Sequence, residues 1–170
     1  MNDHIIYNPE KFKAMIHYII SRCESNDNLG RVVLYKLLYF SDFDNYEKYE
    51  EPITGETYLR KTMGPVPVHF LNAINILIDE GKIKQSQEVV INYTKFKYNS
   101  LKKPNIELFS DNEIQVIDDT INRISHLYSE QISEYSHGDI PWRLANEGDE
   151  INYEAVFYRD PEYSVREYDD

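Results

Sequence analysis

The sequence predicts an α+β fold, a mainly helical single domain of about five helices with a short strand and a β-hairpin, in a winged-helix-like order of elements. Three patterns support this prediction: apolar residues at three- and four-residue steps over positions 12–23, alternating residues at 94–98, and a helix-capping sequence at 110–113. The 170 residues are 41% hydrophobic, which is enough for a core without disulfides.

The first three helices are predicted from their boundaries and periodicity. Asn8 and Pro9 are typical of a helix start, so a helix is expected over about residues 9–25, and a second, buried on most sides, over about 31–46. Residues 57–62 can form a short strand, residues 64–67 a stiff extended corner. Pro67 can then open a third helix, which Gly81 would end with a left-handed cap.

The rest of the chain is predicted to hold a hairpin, two helices and a tail. β-prone residues at 88–91 and 94–98 indicate a hairpin with one solvated face. Ser110 and Glu113 frame a capping box, which opens a helix reaching to about Leu127, and a short helix follows at about 129–136. We expect one domain over residues 1–152 and an irregular, acidic, Tyr-rich tail over 153–170, packed on the domain or extending from it.

The negative charge is confined to the C-terminal third. Residues 1–109 carry 14 basic and 14 acidic side chains, whereas residues 110–170 carry 4 and 16, which accounts for the whole net charge of −12. Such a surface repels phosphate backbones, attracts basic proteins and also promotes solubility. Cys23 has no cysteine partner, no stretch could span a bilayer, and residues 1–10 have no apolar core typical of a signal peptide. A soluble, cytoplasmic protein without membrane contact is therefore expected.

No catalytic chemistry is indicated by the motifs. Lys36 lies in an otherwise apolar helix, which favours an ion-paired core lysine over a catalytic one. Asp42 and Asp44 lie inside that helix rather than at a strand end, and Ser136, His137 and Asp139 are too close in sequence to form a nucleophilic triad. The histidines lack metal-ligand spacing. We predict no catalytic residue, no metal and no cofactor, although an enzyme of unrecognised chemistry stays an alternative.

A DNA-binding regulator of winged-helix type is the main alternative function. Its reading helix would be the third helix, but residues 68–80 contain no Lys or Arg and end in Asp79 and Glu80. Lys95, Lys97, Lys102 and Lys103, near the hairpin, could still contact phosphates. The weak basic surface disfavours nucleic acid as a partner of the free protein.

Two blocks of residues resemble the signatures of a known family. The first block is Lys36-Leu37-Leu38-Tyr39-Phe40-x-Asp42-Phe43, then Tyr46, Pro52-Ile53-Thr54-Gly55, Tyr58 and Gly64-Pro65-Val66-Pro67. The second is Ser136-His137-x-x-x-Pro141-Trp142. In order and spacing they resemble the Panacea domain, the SocA-like antitoxin family, over most of residues 10–155. The resemblance gives these residues structural or partner-binding roles.

This resemblance implies an antitoxin of a bacterial or prophage toxin–antitoxin system. Such a protein neutralises, by direct contact, a cognate toxin encoded by the neighbouring gene. One branch of the family also resembles a proteolytic adaptor, so an ATP-dependent protease is a second implied partner. Some members carry an additional DNA-binding segment. The resemblance identifies neither the toxin nor its binding surface, and the oligomeric state is not predicted.

The acidic tail offers a hypothesis for the toxin contact. Tyr153, Tyr158, Tyr163 and Tyr168 are spaced among Asp and Glu residues, and this segment could cover a basic toxin surface as a phosphate mimic. Removing residues 153–170 is then expected to abolish neutralisation while leaving the domain folded. In the alternative interpretation the tail packs on the domain, and the Gly64–Pro67 corner and the hairpin hold the toxin.

Overall fold

A largely buried helix, α2, lies at the centre of the molecule. The computed structural model describes residues 2–169. Helix α1, Pro9–Cys23, begins where the Asn8 side chain accepts a hydrogen bond from the backbone of Lys11 at 3.0 Å. Helix α2, Arg31–Tyr49, is buried over nearly all of its length, as its all-round apolar pattern predicts. It packs against α1, two later helices and the C-terminal segment.

A small hairpin follows α2. Residues 64–67, predicted as an extended corner, form its second strand. Strands β1, Tyr58–Lys61, and β2, Gly64–Pro67, pair antiparallel, with Tyr58 opposite Pro67. The prediction that Pro67 opens the third helix is wrong, because Pro67 ends β2 and helix α3 runs over Phe70–Asp79. The fixed φ of proline suits an edge strand as well as a helix start. The sequence alone therefore did not distinguish the end of a strand at Pro67 from the start of a helix.

The second hairpin is longer than the β-prone residues indicate. Gly81 ends α3 with a φ of +70°, as predicted. Strands β3, Ile83–Val90, and β4, Tyr93–Ser100, then pair antiparallel over eight residues each. Among the side chains described in this hairpin, only Ile83 and Tyr98 are buried. The residues that begin β3 are mainly polar, so no apolar pattern predicted this part of the strand.

The C-terminal third is more ordered than an irregular tail. Helix α4, Asp111–Ile124, starts at the predicted Ser110 capping box, and α5 spans Ser129–His137. Two short elements were not predicted: α6, Ile140–Leu144, and a 3-10 helix, Tyr153–Tyr158. Both are only five or six residues long, too short for a periodic pattern. The 3-10 helix packs against both α2 and α6.

The α+β fold class is confirmed, with more helices than the five expected. Within residues 2–169 there are six α-helices, one 3-10 helix and two antiparallel hairpins. One continuous apolar core joins the helices to the base of the long hairpin, through residues that include Phe12, Leu37, Ile74, Tyr98 and Ile121. No helix in this described part of the chain has the length and apolar character needed to cross a membrane.

Candidate functional site

The residues of the two signature blocks are nearly all inside the molecule. Among those predicted as site residues, Val66 and His137 are half-buried, and the other fifteen are buried: Lys36, Leu37, Tyr39, Phe40, Asp42, Tyr46, Thr54, Gly55, Tyr58, Gly64, Pro65, Pro67, Ser136, Pro141 and Trp142. A partner cannot touch enclosed side chains. These residues therefore shape the scaffold beneath the surface, and three clusters show how they do so.

The first cluster is centred on the buried carboxylate of Asp42, which fixes the segment after α2. The Asp42 carboxylate accepts hydrogen bonds from the Thr54 backbone N–H at 2.7 Å, the Thr54 hydroxyl at 2.6 Å and the Tyr58 hydroxyl at 2.7 Å. Burial raises the pKa of Asp42 to about 6, and these hydrogen bonds oppose the rise. Next to it, Gly55 has a φ of +74° and lies under the backbone of Ile6. The cluster thereby attaches the N-terminal segment to α2.

The second cluster brings Lys36, Gly64 and Ser136 together. A Cβ atom on Gly64 would lie 2.6 Å from Lys36 Cε and 2.7 Å from Ser136 Oγ, so only glycine fits between them. Lys36 is 1% exposed, and burial lowers the pKa of its amine to about 8 with no contribution from a charged neighbour. The prediction that Lys36 forms an ion pair is therefore wrong. Within residues 2–169 its amine is buried without a counter-charge.

The third cluster joins the signature blocks to the C-terminal segment. Arg159 donates to Asp139 at 2.8 Å, to Asp44 at 2.8 Å and to Glu47 at 3.0 Å, and its side chain is fully buried. Tyr39 donates to Asp139 Oδ2 at 2.7 Å, and this oxygen also accepts from Arg159 at 3.0 Å. Burial lowers the pKa of Arg159, but the carboxylates outweigh that effect and raise it well above its ordinary value. The guanidinium is a permanent cation holding three carboxylates.

His137 and Trp142 form a stack with an arginine. Their rings lie 4.4 Å apart, and the Arg60 guanidinium lies 3.9 Å from the indole. Arg60 also donates to the backbone carbonyls of Arg143 and Ala145 at 3.1 and 2.7 Å. The stack therefore caps α6 and attaches it to β1, a structural use of the second signature block.

The four tail tyrosines do not share one environment. Tyr153 is 1% exposed, stacks on Phe43 at 4.2 Å and donates to the Glu56 carbonyl, so its ring is out of reach of a partner. Tyr163 is half-buried and donates to the Tyr135 carbonyl. Tyr158 is 75% exposed, and Tyr168 is 52% exposed while donating to Glu47. Two of the four rings therefore face solvent.

The tail also presents an acidic surface. Its exposed acidic residues are Glu154, Asp160, Glu162, Glu167 and Asp169. We call these exposed residues, with the exposed rings of Tyr158 and Tyr168, the acidic face. All four Lys and Arg cations of residues 110–170 are already paired with carboxylates: Arg123 with Asp44, Arg143 with Asp160, Arg159 as above, and Arg166 with Glu50.

Helix α3, the candidate reading helix, exposes no cation. Its solvent-facing residues are Leu71, Asn72, Asn75 and Asp79. Counterion release on DNA needs Lys or Arg at the contact, and base readout favours them. The structure thus gives the DNA-binding alternative no contact surface on this helix.

Sequence reasoning missed the partners that complete the clusters. Arg159 and Glu47 were not singled out, and Arg60 was not connected to Trp142. One signal was present: Arg159 is one of only two cations in the strongly acidic residues 153–170. Its partners on α2 lie more than 100 residues away, and no local pattern indicates such a contact.

The two signature blocks, on which the clusters are built, lie within a segment that a family model matches. The model of the family described as "Antitoxin SocA-like, Panacea domain" matches residues 34–143, more than half of the chain. The chain belongs to this family. The search of curated proteins and the search of solved structures each found no match. The matched segment contains the signature residues but ends before Arg159.

Proposed function

We propose that this protein is the antitoxin of a toxin–antitoxin pair and neutralises a cognate toxin, encoded by the neighbouring gene, by binding it directly in the cytoplasm. The family assignment supports an antitoxin role and favours a non-catalytic protein. The observation that carries the binding proposal is the acidic face, which buried Tyr153 and Arg159 hold on the domain. Delivery of the bound toxin to an ATP-dependent protease is a further part of the proposal.

The acidic face has the physical properties of a recognition surface for a basic protein. Its charges speed the encounter with a cationic partner by long-range attraction. Its two exposed tyrosines add contact area at a low cost in side-chain entropy. Because the backbone beneath is anchored, little ordering cost remains to be met on binding. A toxin that acts on RNA or nucleotides would present a basic surface of this kind.

The first test is rescue of growth. The neighbouring gene product is expressed alone and then with this protein, and the tagged pair is purified. Growth arrest that co-expression relieves, with a complex on the column, is the expected result. Toxicity without rescue, or rescue without a complex, would contradict neutralisation by direct binding.

A test of how much the acidic face contributes to toxin binding requires variants that leave the buried clusters intact. We would change exposed Glu162, Glu167 and Asp169 to their amides together, and expect slower association and weaker rescue. The matched control changes exposed Asp79, Glu107 and Glu130, which removes the same charge elsewhere. Equal effects of the two triple variants would show that net charge, rather than this face, matters.

A further inference from the structure

The outer half of the β3–β4 hairpin projects from the body of the protein. Residues 87–89 and 91–94 are all exposed, although several are apolar. Val89 is 87% exposed, Ile91 86% and Tyr93 62%. A projecting two-stranded arm with an apolar tip is only marginally stable in water by itself. Such an arm is typical of a surface that a partner covers.

The two edges of this arm differ. The outer edge of β4 lies against the loop before α2, where the Lys95 amine donates to the Asp27 carbonyl and the Phe96 carbonyl faces Gly30. The sheet contains only β3 and β4 in the described chain, and no other strand or loop backbone bonds to residues 83–90. The outer edge of β3 is therefore open, with free backbone donors and acceptors.

The sequence along this open edge is complementary to itself. Residues 84–88 read Lys84-Gln85-Ser86-Gln87-Glu88. Two antiparallel copies related by a two-fold axis at Ser86 would place Lys84 opposite Glu88 of the second copy, and Gln85 opposite its Gln87. The axis is perpendicular to the sheet, so paired residues share a face.

This register also matches the apolar pattern. Ile83, which is 1% exposed, would lie opposite Val89 of the second copy, so each exposed tip valine would reach the edge of the other copy's core. A lysine on an edge strand normally discourages pairing. Here Glu88 of the second copy, whose carboxylate also pairs with Lys97 of its own chain at 3.5 Å, offers it a counter-charge.

We propose that β3 pairs with β3 of a second copy of this chain, antiparallel and centred on Ser86, and forms a four-stranded sheet across a two-fold axis. The proposal concerns self-association and is independent of toxin neutralisation. The charge pattern, the open edge and the exposed tip all favour a second copy of the chain as the occupant.

Charge reversal tests this register directly, with mass measured by light scattering across a range of protein concentrations. The unaltered chain is expected to dimerise. K84E sets two glutamates opposite each other across the axis, and E88K sets two lysines opposite each other, so each variant alone should dimerise roughly tenfold more weakly or worse. Mixing K84E with E88K gives each copy a partner of opposite charge, and the mixture should recover the dimer. A control, Lys61→Glu, reverses an exposed charge away from the arm and should leave the dimer unchanged.

A cysteine at the axis gives a second measurement that does not depend on charge. Ser86→Cys brings two thiols face to face and should yield an oxidised covalent dimer, while Asn99→Cys, an exposed position on β4, should not. A monomer at every concentration would overturn the proposal, as would a dimer that neither charge variant weakens. A chain that is monomeric alone but loses toxin capture in K84E would show that the toxin uses this edge, which also overturns it.

Discussion

Lys36 combines burial with the absence of a counter-charge among the described residues. Burial lowers the pKa of its amine from the ordinary value of 10.5 to about 8. At neutral pH the buried charged amine therefore destabilises the native protein relative to the unfolded chain. Lys36→Met is expected to raise the free energy of unfolding at pH 7 by about 1–3 kcal/mol, because the uncompensated charge is removed. Urea denaturation would measure this difference.

The pH dependence provides the check on this interpretation. Between pH 8 and 10.5 the unfolded chain holds the Lys36 proton and the native protein does not, so the stability of the unaltered protein rises with pH. The gain from Lys36→Met should therefore shrink over that range. The control, Lys61→Met, changes an exposed lysine and should stay within about 0.5 kcal/mol of zero. A Lys36→Met variant that is less stable than the unaltered protein at every pH would contradict the interpretation.

Gly55 should tolerate no side chain. A Cβ there would lie 2.3 Å from the Ile6 carbonyl oxygen, and φ is +74°. Gly148 has a similar φ of +83° but nothing within 4 Å of the added Cβ. Thermal unfolding should show Gly148→Ala losing about 1–2 kcal/mol from backbone strain alone, and Gly55→Ala clearly more. Equal losses would mean that the N-terminal segment moves aside without cost.

At the scale of single residues, the sequence indicated which residues matter but not what they contact. The signature pattern located Asp42, Thr54 and Tyr58, and the structure shows that they bond to one another. The pattern also located Lys36, for which the described chain holds no carboxylate partner of the kind expected. Whether a buried charge is paired depends on tertiary packing, which helix periodicity does not encode.

At the scale of elements, Arg159 connects the C-terminal segment to α2 and to the residue before α6. Arg159→Met should lower the free energy of unfolding by about 3–5 kcal/mol, because the buried carboxylates of Glu47 and Asp139 lose their counter-charge and Asp44 keeps only Arg123. The loss should diminish on acidification, since burial raises the pKa of Asp139 and its protonated carboxyl group needs no cation. Arg143→Gln is the control, because its ion pair with Asp160 is half exposed and should contribute below about 1 kcal/mol.

Truncation tests the same connection without a substitution. The expectation that the domain stays folded without residues 153–170 has to be revised, because that deletion removes buried Tyr153 and Arg159. A chain ending at Asn152 should lose its cooperative thermal transition, whereas one ending at Asp160 should keep it. If circular dichroism showed equal melting of the two, the C-terminal segment would be dispensable for the fold.

Elements with strong local signals were predictable, and short ones were not. The capping residues Asn8 and Ser110 located the starts of α1 and α4. Pro67 was assigned to the wrong element because proline fits both a helix start and an edge strand. Helix α6 and the 3-10 helix are too short for periodicity, and the contacts that stabilise them come from distant residues such as Arg60.

For the whole molecule, the charge distribution makes a prediction about kinetics. The net charge of −12 lies entirely in residues 110–170, and the acidic face exposes part of it. The association rate with a basic toxin should fall steeply as salt is added, while the dissociation rate changes little. Stopped-flow measurements at several ionic strengths would show this. An association rate insensitive to salt would place the contact elsewhere.

The Arg159 network also sets an order of events during synthesis. Asp44 leaves the ribosome 115 residues before the arginine that it binds. Until then the central helix carries Asp44 and Glu47 without this cation, although the residues of the β3–β4 hairpin have already been synthesised. Completion of the core is thus delayed until translation has passed residue 159, and a nascent chain stalled earlier would display an unfinished, protease-sensitive domain.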